Sequence, residues 1–307
     1  MFQKLVAIED TLLSAEALKK LSDYAVQVEL YNERPVDDAV DDAEIIRRIG
    51  DADAVLVSFK SPIRKCVLDA CPNIRYIGMC CTLYDEKACN VDVVEARRKG
   101  ITVVGVKDYG DEGVVEYAVS ELVRFLHGFG DRQWKADKYE LTRQRLGIIG
   151  LGRTGRMLAD AFRFLGAEVG YYSRTRKPDA EAVGITYYPL HDLLRQSDIV
   201  CTCLPRNTFL LGEEEFRLMG NNRILMNTSI GATFDVAALK AWLKSNDNSF
   251  YFCDGTGMGT LADELAGCPQ VMYTPVVAGK SIQSVGRLSQ KALANIETYL
   301  RSTGELR

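Results

Sequence analysis

Apolar positions along this chain fall into two alternating series. In the first hundred residues short runs rich in β-branched side chains, KLVAIE (4–9), VQVEL (26–30), AVLVSF (54–59), IRYIGM (74–79) and ITVVGV (101–106), alternate with segments of helical character at 14–21, 39–49, 63–70 and 91–99. Strand and helix in strict alternation predict a parallel sheet, because parallel neighbours need a crossover connection between them. A helical pattern then runs over 113–129 (GVVEYAVSELVRFLHGF), long enough to link two lobes. The second series begins with LGIIG (146–150) and continues through AEVGYY, SDIVCTCL, NRILMN, NSFYFC and QVMYT, again with helical stretches between. A last long helix is expected over Ser281–Arg301, packing back on the first lobe. The expected fold is α/β, two doubly wound parallel-sheet domains. The first comprises residues 1–113 with 282–307, and the second residues 114–281.

Composition narrows the function classes. With 47% apolar and 26% charged residues the chain reads as an ordinary globular protein, and 307 residues suit two domains. A formal net charge of −4, without a long basic stripe, argues against nucleic acid or an anionic lipid surface as partner. No run approaches the ~20 apolar residues of a membrane span, and the opening MFQKLVAIED lacks a signal pattern, so the cytoplasm is expected. Nine cysteines, an odd number, suit reduced thiols better than a disulfide framework. Cys80, Cys81 and Cys89 lack the paired spacing of zinc ligands, so no metal is expected.

Chemistry concentrates at LGIIGLGRTG, residues 146–155. An apolar strand runs into Gly150-x-Gly152-x-x-Gly155 and then into the helical pattern RMLADAFRFLGA. In such an elbow the first glycine permits the turn, the second lets backbone approach a pyrophosphate, and the third lets helix pack on strand. Unpaired N–H groups and the positive end of the helix dipole then receive the anion, so the second domain is expected to be a Rossmann-type dinucleotide-binding domain. The second strand of this unit ends in Ser173-Arg174-Thr175-Arg176-Lys177, where a NAD-selective site would carry Asp or Glu for the ribose 2′-hydroxyl. Three cations here predict NADP(H) as the preferred cofactor, NAD(H) remaining possible. Arg174 would grip the 2′-phosphate or stack on adenine, with Ser173, Thr175 and Arg176 donating further hydrogen bonds. The alternative is a solvated basic loop.

Taken together, LGIIGLGRTG, the YYSRT that follows, SDIVCTCLP, ILMNTSIG and VMYTPVVAG occur in the order and near the spacing of the D-2-hydroxyacid dehydrogenase family. The resemblance is strongest from Val114 to Ser281 and extends weakly through GVVEYAV and Asn90–Asp92. It implies a discontinuous substrate-binding lobe, a nucleotide-binding lobe, a cleft between them and a homodimer formed through the nucleotide-binding lobe. It also implies cofactor contacts from Gly150, Gly152, Arg153, Thr154 and Gly155, from Leu204-Pro205 beside the adenosine, from Thr228, and from Asp254 near the nicotinamide carboxamide.

The chemistry of the family needs an Arg to hold the substrate carboxylate, a His to move the proton and a Glu to orient that His. By the resemblance the Arg position is Ile230 and the His position Val276, while GTGMGT after Asp254 offers no carboxylate before Asp263. His127 and His191 are expected to be structural or at the surface. The loop GMCCTLYDEKACNVD replaces a Gly-rich substrate loop, and Lys107 to Glu112 form a charged turn. Lys280, placed one helical turn beyond Val276, and Lys107 are weak candidates for a replacement proton donor; the plainer alternative is solvated charge. Three readings stay open: a reductase of a small 2-oxo acid or other small carbonyl compound, an inactive NAD(P)-binding protein acting as a cofactor sensor or partner-binding protein, and, ranked last, a cleft that binds a nucleoside-containing or amino-acid ligand without redox chemistry.

Overall fold

The computed structural model describes residues 1–32, 40–83, 86 and 89–306. The chain divides into two compact units, Met1–Tyr109 with Ser281–Arg307, and Gly110–Lys280. The long helix expected to link the lobes lies wholly within the second unit.

The first unit carries β1 (Phe2–Ala7), α1 (Ala15–Lys20), β2 (Ala25–Leu30), α2 (Asp42–Ile49), β3 (Ala54–Val57), α3 (Lys65–Ala70), β4 (Tyr76–Met79), α4 (Val93–Arg98) and β5 (Thr102–Gly105). Its five strands form an all-parallel sheet in the order β2-β1-β3-β4-β5. β3 and β4 are buried at every position, as expected of parallel strands covered on both faces. One face, with Val6, Val55, Val57 and Ile77, packs on Ile45, Ile49, Val67, Leu68 and Ala96 of the helices between the strands. The other face, with Leu5, Leu56 and Tyr76, receives Leu288, Ala292, Ile296 and Leu300. These four recur at i+4 along the C-terminal helix Ile282–Ser302, which is why a segment remote in sequence belongs to this unit. Ser281 caps that helix, accepting from the Ser284 amide at 3.1 Å. The segment expected to be helical from residue 39 starts at Asp42, behind an Asp41 cap; residue 39 lies outside the described residues, as do 84, 85, 87 and 88 of the cysteine-containing loop.

The second unit runs α5 (Asp111–His127), β6 (Arg145–Ile149), α6 (Arg153–Phe164), β7 (Glu168–Tyr172), α7 (Pro178–Glu181), β8 (Thr186–Tyr187), α8 (Leu190–Gln196), β9 (Ile199–Thr202), α9 (Glu213–Met219), β10 (Ile224–Asn227), α10 (Val236–Lys244), β11 (Phe250–Asp254), α11 (Gly255–Met258), α12 (Ala262–Leu265) and β12 (Val271–Thr274). All seven strands are parallel, in the order β12-β11-β10-β9-β6-β7-β8. Ile148, Tyr171, Cys201, Met226 and Phe252 face α5 and α6, against Leu122, Phe125, Leu158 and Phe162. Ile149, Val200, Leu225 and Tyr251 face the opposite layer of Leu193, Phe216, Leu239 and Trp242. The strand order reverses beside β6: one half of the chain builds outward through β7 and the other through β9. Loops at the carboxyl ends of the strands diverge at such a reversal, leaving a crevice suited to a ligand. The edge strand β8, only two residues long, has no counterpart among the strands expected from sequence, because two residues carry no legible alternation.

Candidate cofactor-binding site

At the reversal, β6 ends in the glycine elbow. Gly150 has φ +98°, a conformation open to glycine at little cost, and a Cβ there would stand 2.4 Å from the Cys203 carbonyl oxygen. Its N–H donates to the Tyr172 carbonyl at 2.8 Å, tying the elbow to the end of β7. A Cβ on Gly155 would lie 2.1 Å from the Gly150 carbonyl oxygen, so α6 can approach β6 only with glycine there. Gly152 differs: a Cβ there would meet nothing within 4 Å, and as the N-cap of α6 it offers no side-chain oxygen to the first amides of the helix. With no side-chain cap on the first turn and open space beside Gly152, the positive end of this 12-residue helix is an arrangement able to receive a diphosphate.

Two side chains of the elbow already have anionic partners. Arg153 Nε lies 3.3 Å from Asp111 Oδ2 and its Nη2 3.4 Å from Glu112 Oε1. The Thr154 hydroxyl donates to the Asp111 carboxylate. The charged run Lys107–Glu112, read from sequence as a single turn, is split: Asp111 and Glu112 open α5 in the second unit, whereas Lys107 follows β5 in the first, exposed, its carbonyl accepting from Lys291 Nζ at 2.8 Å.

Beyond β7 the cationic segment divides in the same way. Arg176 is held by a forked pair to Glu181 and lies 5.0 Å over the Tyr187 ring, so it serves the local structure and is not free to donate. Ser173 Oγ donates to the Thr175 carbonyl at 2.6 Å, shaping the turn. Arg174 is exposed, with no ion-pair partner among the described residues. At this strand end no carboxylate occupies the position of Ser173.

On the other side of the reversal, β9 and β10 are locked by buried polar contacts. Asn227, fully buried, accepts from Thr202 Oγ1 at 2.9 Å and from the Ser229 amide at 3.0 Å, and donates to the Gly231 carbonyl at 2.8 Å. Ser229 Oγ in turn accepts from the Leu204 amide at 2.8 Å, and Thr228 Oγ1 donates to the Thr202 carbonyl at 2.8 Å. Leu204, half-buried, and Pro205, exposed, are thereby presented at the end of β9. Burial pushes the thiols of Cys203 and Cys253 up to about 12 and keeps both protonated.

The ends of β10, β11 and β12 converge through backbone bonds: Gly231 N–H to the Thr256 carbonyl at 3.0 Å and Gly255 N–H to the Val276 carbonyl at 2.7 Å. Both oxygens of Asp254 accept backbone amides, Oδ1 from Gly257 and Oδ2 from Ala278, each at 2.8 Å. Ile230 and Val276 flank this junction with 42% and 56% of their surfaces exposed, so they line accessible space and are not core residues. Lys280 was expected a helical turn past Val276; instead residues 275–280 form a non-helical loop closed by Lys280 N–H to the Val277 carbonyl at 2.9 Å. Its side chain is exposed, without an ion-pair partner among the described residues.

The sequence pattern described as D-isomer specific 2-hydroxyacid dehydrogenase, NAD binding domain, matches residues 118–278, more than half of the chain. The chain belongs to this family. Among similar proteins, a hydroxypyruvate reductase of Blautia hydrogenotrophica is 29% identical over 281 residues, spanning 85% of this chain and 86% of that protein. A glyoxylate reductase of Thermococcus kodakarensis is 31% identical over 221 residues, 65% of each chain. The fold resembles that of an acyclic imino acid reductase in complex with NADPH and D-Arg, with TM-score 0.83 at 22% identity over 98% of both chains. It also resembles apo D-lactate dehydrogenase from Escherichia coli, with TM-score 0.76 at 20% identity over 99% of this chain and 98% of that one.

Within this D-2-hydroxyacid dehydrogenase family chain, the structure brings Gly150, Gly152, Arg153, Thr154 and Gly155 into one elbow. Ser173, Arg174 and Thr175 follow β7, to which the elbow is tied, and Leu204 contacts the elbow across the reversal, 3.2 Å from a Cβ built on Gly150. Sequence reading missed Asp111 and Glu112 as neighbours of the elbow, since a charge run does not say which of its members turn inward. It also missed Asn227 and Ser229, for which the only signal was a polar pair ending an apolar strand. The two histidines have local partners: His127 stacks on Phe129 at 4.7 Å, and His191 shares a hydrogen bond of 3.1 Å with Glu215. Among the described residues the one group with metal-ligand types in reach is His191, Glu214 and Glu215, of which Glu215 also accepts from the Gly212 amide. Cys89 Sγ instead approaches the Val91 carbonyl at 3.1 Å, and Cys80 and Cys81 are buried.

Proposed function

We propose that this protein is an NADP(H)-dependent oxidoreductase that reduces a small 2-oxo acid or another small carbonyl compound without the Arg, Glu and His of its family. One observation carries the cofactor assignment: the strand end that would meet the adenosine ribose has no carboxylate and leaves Arg174 exposed and unpaired among the described residues, while Arg176 is taken by Glu181. A 2′-phosphate is stabilised by such a guanidinium, and a carboxylate there would repel it. The amides at the head of α6 would receive the diphosphate, with Leu204 and Pro205 beside the adenosine. Thr228 and the Asp254 junction lie at the ends of β10 and β11 and would stand toward the nicotinamide. The cofactor supplies the hydride; this chain must supply the cavity and the proton. NAD(H) would bind by the same elbow, less tightly.

The substrate class rests on the named relatives, a hydroxypyruvate reductase and a glyoxylate reductase. Ile230 and Val276 would stand at the family's Arg and His positions, where an aliphatic side chain neither clamps a carboxylate nor moves a proton. The proton would come from a lysine, Lys280 or Lys107. The functional unit would be a homodimer formed through the nucleotide-binding unit, in a reducing compartment such as the cytoplasm, where nine unpaired cysteines persist. No helix among the described residues is long and apolar enough to cross a membrane. The test is NADPH oxidation at several pH values with glyoxylate, hydroxypyruvate and a panel of 2-oxo acids, aldehydes and ketones. Turnover that falls in Lys280→Ala or Lys107→Ala supports the reading.

The exposed aliphatic pair Ile230 and Val276 favours a second reading, an NADP(H)-binding protein without turnover whose bound state is sensed by a partner. Tight NADPH binding, no oxidation of cofactor across the panel and a cofactor-dependent change in scattering radius would select it.

A further inference from the structure

The carboxylates that head α5 sit against the one elbow where a polyanion is expected. Asp111 holds both Arg153 and the Thr154 hydroxyl, and Glu112 holds the other arm of the same guanidinium. Arg153 and Thr154 are the first two residues of α6, directly after Gly152, the position with open space around it. A diphosphate arriving there must draw the Thr154 hydroxyl and the Arg153 guanidinium away from Asp111, and it brings its own negative charge close to two others. Exposure separates the two acids. The Asp111 side chain is 14% exposed and the Glu112 side chain 38%, so solvent screens the first less than the second.

We propose that Asp111, assisted by Glu112, is an internal competitor for the pyrophosphate of the dinucleotide: it occupies the polar side chains of the elbow in the free protein and sets the affinity below what the elbow alone would reach. This rests on the cofactor reading above. The same carboxylates favour the N-terminus of α5 through its dipole, so their retention has a structural benefit opposed to their cost in binding.

Calorimetric titration of the full chain and of Asp111→Asn and Glu112→Gln with NADPH, and separately with adenosine 2′-monophosphate, tests it. Asp111→Asn is expected to tighten NADPH about fivefold or more and Glu112→Gln about twofold, in that order because of burial. Adenosine 2′-monophosphate, which lacks a pyrophosphate, should bind all three proteins alike. A merely structural role for Asp111 would lower Tm without tightening NADPH, and that result overturns the proposal. Weaker NADPH binding in Asp111→Asn, or equal tightening of both ligands, overturns it too. If the unaltered protein binds neither pyridine nucleotide, the cofactor reading itself fails and the competitor role falls with it; binding by the unaltered protein with no gain in the variants removes only the competitor role.

Discussion

Gly155 lies directly against Gly150: a single methyl group on the first would sit 2.1 Å from the carbonyl oxygen of the second. This contact fixes the distance between α6 and β6, and so the place at which the helix amides are offered. Gly155→Ala and Gly150→Ala should each destabilise the protein by about 3 kcal/mol or more, because the clashing atoms are backbone that cannot swing aside. Gly152→Ala has no such clash and should keep the Tm within ~2 °C while weakening nucleotide binding at least about tenfold, as its methyl group enters the space left for the ligand. Thermal unfolding and nucleotide titration on the three variants separate fold from site.

Arg174 and Arg176 stand two positions apart and should behave differently. Arg174→Ala is expected to erase most of the preference for NADPH over NADH with little change in stability. Arg176→Ala removes the partner of Glu181 and the cation over Tyr187, so it should lower the unfolding midpoint slightly and leave the preference standing. Paired dissociation constants for the two nucleotides check both.

Asp254 spends both oxygens on backbone amides of the β11–β12 junction. Asp254→Ala leaves two amides without partners in a largely buried place and should cost about 2–4 kcal/mol. Ile230→Arg, at an exposed position beside the same junction, should change stability by less than about 0.5 kcal/mol. Denaturant unfolding of the two variants reads the contrast.

Acid sensitivity should appear where the chain ends meet. Glu305 is paired with Arg75, at 2.8 Å to Nη2, and with the amino terminus at 3.2 Å, and the Arg75 guanidinium first of all holds its carboxyl down at about 2 from 4.5. A depressed carboxyl contributes stability above its unfolded value and loses it as pH falls toward the folded one. Glu305→Gln should therefore cost about 1 kcal/mol at neutral pH, and its difference from the unaltered protein should shrink between pH 4.5 and pH 2. Urea midpoints across that range measure it.

The alternation of strand and helix was legible because the inner strands β3, β4, β9, β10 and β11 are buried at every position and read as short apolar runs, whereas the helices between them bury one face. The elbow was legible from the spacing of its glycines, although only the contact of Gly155 with Gly150 lies within a few residues; the Cys203 carbonyl that crowds Gly150 comes from the end of β9 and was not. The two-residue strand β8 was too short to show a period, and the spacing of Lys280 from Val276, taken as one helical turn, is spanned instead by a non-helical loop that ends at the start of the last helix.

The sequence by itself determined the two parallel sheets, the glycine elbow and the cationic end of β7, since each depends on neighbours in the chain. Only the tertiary structure decided which of the charges are already taken: Arg176 by Glu181 within one turn, and Arg153 and Thr154 by acids 41 to 43 residues away. A charged side chain commits to whatever opposite charge the fold carries within ~4 Å of it, and for residues so far apart along the chain that proximity exists only once the sheet and its helices have packed.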